Sequence, residues 1–191
     1  MTDSIRRILV LGIWGVMAAV VVLLALLVAE AKPQTSRPVD FSQGTVGGVR
    51  YEAATDRPVN PSSPVDAQIV KGLPAAERHP GSKQLLLGVF VTVTNDSSRA
   101  LPTAARIDLR DEAMRVYHPL ALPASNPYAY RPTTLRAGET IPRLGTPPAD
   151  NIAASGLLLL YRVPAFEYQN GTFELMVHDP LHSGTVRTVG L

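Results

Sequence analysis

The hydrophobic pattern of the chain changes once, and sharply. Residues 8–29 are 22 consecutive positions without a charged side chain. At 1.5 Å per helical residue they span about 33 Å, enough to cross a bilayer core of about 30 Å. From residue 49 onward apolar positions recur at every second residue in short runs, the period of a strand with one buried face. Val49, Tyr51 and Ala53 open the pattern, with Arg50 and Glu52 on the other parity. Residues 84–94 form its strongest run, with Leu85, Leu87, Val89, Val91 and Val93 in one set. The alternate set changes from Leu86 and Phe90 to Thr92 and Thr94, which predicts a central strand buried on both faces at one end only. Ala105, Ile107 and Leu109 alternate with Arg106, Asp108 and Arg110 as the returning strand, and Asp111-Glu112-Ala113 turns the chain into a short strand over 114–118. An edge strand is predicted within 135–141, and the apolar run 157–163 reads as a fully buried strand. Phe173, Leu175 and Val177, then residues 185–189, complete the series.

The connections carry their own signals. Residues 30–48 hold Pro33, Pro38, Gly44, Gly47 and Gly48 among small polar residues and read as a flexible stalk. Ser63-Pro64-Val65-Asp66 is a helix start, with Val65 and Ile69 expected to face the sheet. Pro119, Pro123, Pro127 and Pro132 exclude a regular central ladder and predict a long loop. About eight short β segments with almost no helical periodicity indicate an all-β, antiparallel β-sandwich domain over 49–191. Before it stand a cytoplasmic N-terminus (1–7), a transmembrane signal anchor (8–29) and the stalk.

Composition narrows the function classes. The 18 basic and 16 acidic residues nearly cancel, and no basic stripe emerges, which argues against nucleic acid as a partner. With no cysteine there are no disulfides, thiolate metal sites, cysteine nucleophiles or acylated lipoprotein cysteine. Arg6 and Arg7 abut the apolar block, while Lys32 and Arg37 follow it. That leader is laid out as a signal anchor, with the N-terminus cytoplasmic and the C-terminal domain extracytoplasmic. Ala29-Glu30-Ala31 also fits a signal-peptidase site, which would release the domain after Ala31 as a secreted protein, but the length of the apolar block favours retention.

The order of features resembles the immunoglobulin-like extracytoplasmic domains of unknown function on actinobacterial lipoproteins and signal-anchored proteins, fold relatives of the mycobacterial secreted immunoprotective antigen. The residues that carry the resemblance are Leu87-Gly88-Val89-Phe90-Val91-Thr92-Val93-Thr94-Asn95, Ile107-Asp108-Leu109-Arg110-Asp111, Arg136-Ala137-Gly138-Glu139 and Phe173-Glu174-Leu175. The resemblance implies an immunoglobulin-like antiparallel β-sandwich outside the membrane, with no catalytic residues to carry over. The chain departs from the lipoprotein members by lacking the anchoring cysteine, whose place the 8–29 helix would take.

Few residues suggest chemistry. Asp108, Asp111 and Glu112 are a weak calcium candidate, although Arg106, Arg110 and Arg115 interleave them and favour salt bridges. His178-Asp179-Pro180-Leu181-His182 has metal-ligand residue types, but Pro180 prevents the helical turn that would align the imidazoles, so a strand end and turn are expected. Tyr128, Tyr130 and Arg131 in the proline-rich loop are a candidate partner surface, the alternative being tyrosines that cap the core edge. No nucleophile elbow, phosphate-binding glycine loop or His-Glu-x-x-His helix occurs. The expectation is a binding or scaffold module of the cell envelope without catalysis or cofactor, held by lipid through its N-terminal helix and meeting an envelope protein. A secreted sandwich is the second reading and an envelope hydrolase the third.

Overall fold

The computed structural model describes residues 42–152 and 154–191. The expected leader (1–7), membrane-spanning helix (8–29) and first part of the stalk (30–41) lie outside them. Among the described residues no helix is long and apolar enough to cross a membrane.

Among the described residues, alternating side chains and turn residues produce eleven strands: β1 (Ser42–Val46), β2 (Val49–Val59), β3 (Gln84–Asn95), β4 (Leu101–Pro102), β5 (Ile107–Asp111), β6 (Val116–Tyr117), β7 (Thr134–Leu135), β8 (Thr140–Ile141), β9 (Leu157–Pro164), β10 (Phe173–His178) and β11 (Val186–Gly190). The strand ladders are antiparallel. In one sheet β1, β2 and β3 lie side by side, and the far edge of β3 pairs with β9 along Gln84 to Val91 and with β8 at Val93 and Thr94. The second sheet runs β11-β10-β5-β6, and β4 pairs with β7 apart from both. Helices are short, at Pro64–Ile69, Pro147–Asp150 and Ala165–Asn170, with a 3-10 turn at Ala75–Glu77.

The strand parities sort the molecule into layers. Tyr51, Leu87, Val89 and Tyr161 of the first sheet share a core with Ile107, Leu109, Leu175 and Val177 of the second. The Tyr161 hydroxyl donates to the Ile107 carbonyl at 2.9 Å and so ties β9 to β5. On the reverse of β3, Leu86 and Phe90 join Leu158 and Leu160 of β9 in a second core, roofed by Ile69, Val70, Leu73 and Tyr128. The doubly buried end expected from Leu86 and Phe90 is therefore real, and Thr92 and Thr94 beyond it are only half-buried. Gly88 makes this roof possible: a Cβ there would stand 2.7 Å from Val59 Cγ2 and 3.1 Å from Leu158 Cδ1.

Two expectations are corrected. The stalk does not extend to residue 48, because Ser42–Val46 pairs with β2 from Ser42↔Ala53 to Val46↔Val49. Gly47 and Gly48, read as linker residues, have φ of 58° and 89° and form the two-residue hairpin that joins them. Val65 does not face the sheet, being 52 % exposed. Asp66 turns inward instead, accepting hydrogen bonds from Arg57 Nη2 at 2.7 Å and the Asn60 amide at 2.8 Å, while Ile69 seals the second core as expected.

The proline-rich loop follows the edge of β9 left open by β3. Leu158 donates its amide to the Tyr128 carbonyl at 2.6 Å and accepts from the Tyr130 amide at 3.0 Å, and the Leu120 amide donates to the Leu160 carbonyl at 2.7 Å. Asn126, buried, pins the loop to the first helix by donating to the carbonyls of Ile69 and Lys71.

Candidate functional site

The site grows from the place where β3 leaves the core. Asn95, its last residue, has no exposed surface, and its Nδ2 donates to the carbonyls of Arg99 (2.7 Å), Leu135 (3.0 Å) and Arg136 (3.0 Å). Its Oδ1 accepts from the Ser97 amide and hydroxyl. Its backbone exchanges bonds with Glu139 and Gly138. A single amide side chain thus fastens segment 135–139 to the end of the central strand. It also brings together two of the motifs singled out in the sequence, Thr94-Asn95 and Arg136-Ala137-Gly138-Glu139. With Asn95 buried and bonded to Ser97, Asn95-Asp96-Ser97 forms a turn.

Beside this segment opens a groove of about 390 Å³. Ala129, Leu135, Ile141 and Leu157 supply its aliphatic surface, and Pro127, Pro142, Pro147 and Pro148 its stiff rim. Thr133, Thr134, Thr146, Arg131, Glu139 and Arg143 add the polar groups. Glu139 accepts hydrogen bonds from the Arg136 amide at 2.8 Å and from the Arg143 guanidinium. These bonds hold its carboxyl below the ordinary glutamate value. Arg131 is exposed and donates through Nη2 to the carbonyls of Leu122 and Pro123.

The three residues proposed as a partner surface therefore separate. Tyr128 is buried in the second core, and its hydroxyl accepts from Asn151 Nδ2 at 3.2 Å. Tyr130 is half-buried, and its hydroxyl donates to the Ala104 carbonyl at 2.7 Å, while the Ala104 amide donates to Tyr51. Both tyrosines cap the core edge, and only Arg131 reaches the groove. Proline frequency signalled the loop, but the groove's other wall comes from residues 133–148, whose short irregular elements leave no periodic trace.

The three acidic residues proposed for calcium are not assembled either. Asp108 and Asp111 lie three apart on β5 and so take opposite faces. Asp111, in register with Phe173 on the core side, accepts from Tyr117 at 2.8 Å and Arg115 at 2.7 Å. Glu112 accepts from the Thr172 hydroxyl at 2.8 Å. Asp108 sits on the parity expected to meet solvent, yet it is only 1 % exposed. Arg106, His118 and His178 close over it at 2.5, 2.8 and 3.0 Å. Burial alone would raise its carboxyl, but these bonds and the Arg106 charge outweigh it and hold Asp108 below the ordinary aspartate value. His178 and His182 do not converge: His178 reaches Asp108, and His182 bonds Asp179 in the turn after β10. No group of three metal-ligating side chains suited to an ion occurs among the described residues.

With the geometry in place, comparison with known proteins gives a likeness of structure. A candidate lipoprotein from Bacillus subtilis superposes with a TM-score of 0.51 at 13% identity, over 80% of this chain and 38% of that one. The likeness is one of fold. The chain spans well under half the length of that protein. A functionally unknown protein from Listeria monocytogenes gives a TM-score of 0.47 at 14% identity over 78% of this chain and 80% of its own. A conserved hypothetical protein from Bacillus anthracis gives 0.45 at 12% identity, over 78% and 94%. No protein-family model and no curated protein sequence matches the chain.

Proposed function

We propose that this chain is a membrane-anchored, extracytoplasmic binding or scaffold module of a bacterial cell envelope. The observation that carries the reading is the groove: it is mainly aliphatic, walled by stiff proline segments, and free of histidine and serine. Its one carboxylate, Glu139, is held ionised by its partners and is ill suited to trade protons near neutral pH. Such a surface suits binding.

The anchor reading rests on the uncharged block at 8–29 and agrees with the lipoprotein character suggested for the Bacillus subtilis neighbour. The finer fold reading is an immunoglobulin-like sandwich. It is supported by the strand order, in which β2-β3-β9 runs like strands A, B and E, and β11-β10-β5-β6 like G, F, C and C′. That order is also what the resemblance to actinobacterial envelope domains implies. Tethering confines the groove near the membrane and raises its effective concentration for envelope proteins without high intrinsic affinity.

Protease added to intact cells tests the topology, with removal of the domain expected. Survival of the domain until the cells are broken would refute the extracytoplasmic placement. Mass spectrometry of the native N-terminus separates a retained anchor from cleavage after Ala31.

A further inference from the structure

We infer that the groove takes an extended, mainly apolar peptide segment of a partner protein, held by one carboxylate on Arg131. The inference rests on the binding-module reading and names the chemistry of its occupant.

Charge selects the anchoring group. Glu139 and Arg143 lie side by side in the groove and neutralise one another, which leaves Arg131 as its net charge. Arg131 has no carboxylate partner among the described residues. Its bonds to the Leu122 and Pro123 carbonyls both use Nη2. Nε and Nη1 remain to donate to a carboxylate, and because they face opposite edges of the guanidinium each offers a single charge-assisted bond. The same two carbonyls fix the guanidinium in position, so little ordering is required when the ligand arrives.

Lining chemistry selects the body of the ligand. The aliphatic surface of Ala129, Leu135, Ile141 and Leu157 needs apolar side chains opposite it. The Thr133 and Thr134 side chains and the Glu139–Arg143 pair are interspersed with that surface, and a lipid acyl chain laid over them would bury polar groups without partners. A peptide brings its own amides and carbonyls to meet them. Leu144 (95 % exposed) and Ile152 (101 %) flank, in sequence, the Pro147–Asp150 helix whose first residues form part of the rim.

The test uses the full chain in detergent micelles and a fluorescein-labelled peptide of about ten residues, built from leucine, valine and proline around a single central glutamate, with a glutamine twin as reference. Anisotropy should show the glutamate peptide binding about tenfold more tightly than its twin. Arg131→Gln should erase that difference, and Arg131→Lys, which keeps the charge, should restore it in part. An equal affinity for the two peptides, or a preference that survives Arg131→Gln, overturns the inference. So does Arg131-dependent binding to phosphatidylglycerol vesicles in place of the peptides. A photo-crosslinker placed at Thr134 in cells separates the two levels. Protein adducts together with peptides that are not discriminated would refute the occupant and leave the binding module standing. Absence of both adducts and peptide binding would remove both.

Discussion

Replacing Asn95 with alanine should do more damage than its position at the end of a surface-bound strand suggests. The substitution removes a donor group that serves the carbonyls of Arg99, Leu135 and Arg136, and the acceptor that orders Ser97. The amide nitrogen has two hydrogens, one of them shared between two of these carbonyls, so at about 1 kcal/mol net for each hydrogen donated and about 1 kcal/mol for the lost acceptor the loss is roughly 3 kcal/mol. For a domain of this size that corresponds to a fall of roughly 6–12 °C in Tm. The chain's one tryptophan, Trp14, lies in the apolar block, so its fluorescence does not report on the domain. Far-UV circular dichroism and calorimetry of the full chain are the appropriate assays. Asn95→Asp keeps the shape but turns an acceptor toward three carbonyls, and should destabilise at least as much at neutral pH. Its deficit should shrink in acid, where a protonated carboxyl regains one donor. Ser97→Ala, which removes only the hydroxyl bonds, should cost about 1 kcal/mol. If Asn95→Ala unfolds within about 0.5 kcal/mol of the unaltered protein, the assignment of Asn95 as the clamp on segment 135–139 is wrong.

Other outcomes follow from the same structure. Gly88→Ala places a methyl group 2.7 Å from Val59 Cγ2 and should destabilise by about 1–3 kcal/mol, an effect that Val59→Ala should partly relieve in the double variant. Burial would raise the carboxyls of Asp66, Asp108 and Asp111, but their bonds hold all three below the ordinary value of 3.8. Between the folded and unfolded values the unfolded chain binds more protons. This stabilisation is therefore complete above about pH 4 and lost as pH falls through the folded values, and Asp108→Asn should flatten the acid limb of a denaturation series. Burial and the bond to Asp111 push the Tyr117 hydroxyl up to about 12. Ultraviolet titration should find it protonated at pH 10, and the contribution of Tyr117 to stability should fall above that pH, where the unfolded chain ionises first.

The long elements were legible because their period is long enough to read. Residues 84–94, 157–163 and the Phe173-Leu175-Val177 set each became a strand with the expected faces. What the pattern could not convey was long-range pairing. Gly47-Gly48 is equally good linker and hairpin chemistry, and only the partner β2 decides between them. Asp108 stands at a solvent-parity position, and its burial depends on His118 and His178, 10 and 70 residues away. Tyr128 and Tyr130 read as interface anchors because their partners, Asn151 and Ala104, are set by the path of the loop. The groove was illegible for the same reason: no run of residues contains it, and Asn95 assembles one wall from 40 residues away.

The course of the proline-rich loop along β9 has a consequence for self-association. An open strand edge is a template on which neighbouring copies zip together into aggregates. Here the backbone groups of Leu158 and Leu160 are already engaged by Leu120, Tyr128 and Tyr130. The prolines on either side withhold the amide hydrogens that a further chain would need. The segment that walls the groove is thus also the protein's guard against self-association, so loop-shortening variants should lose solubility.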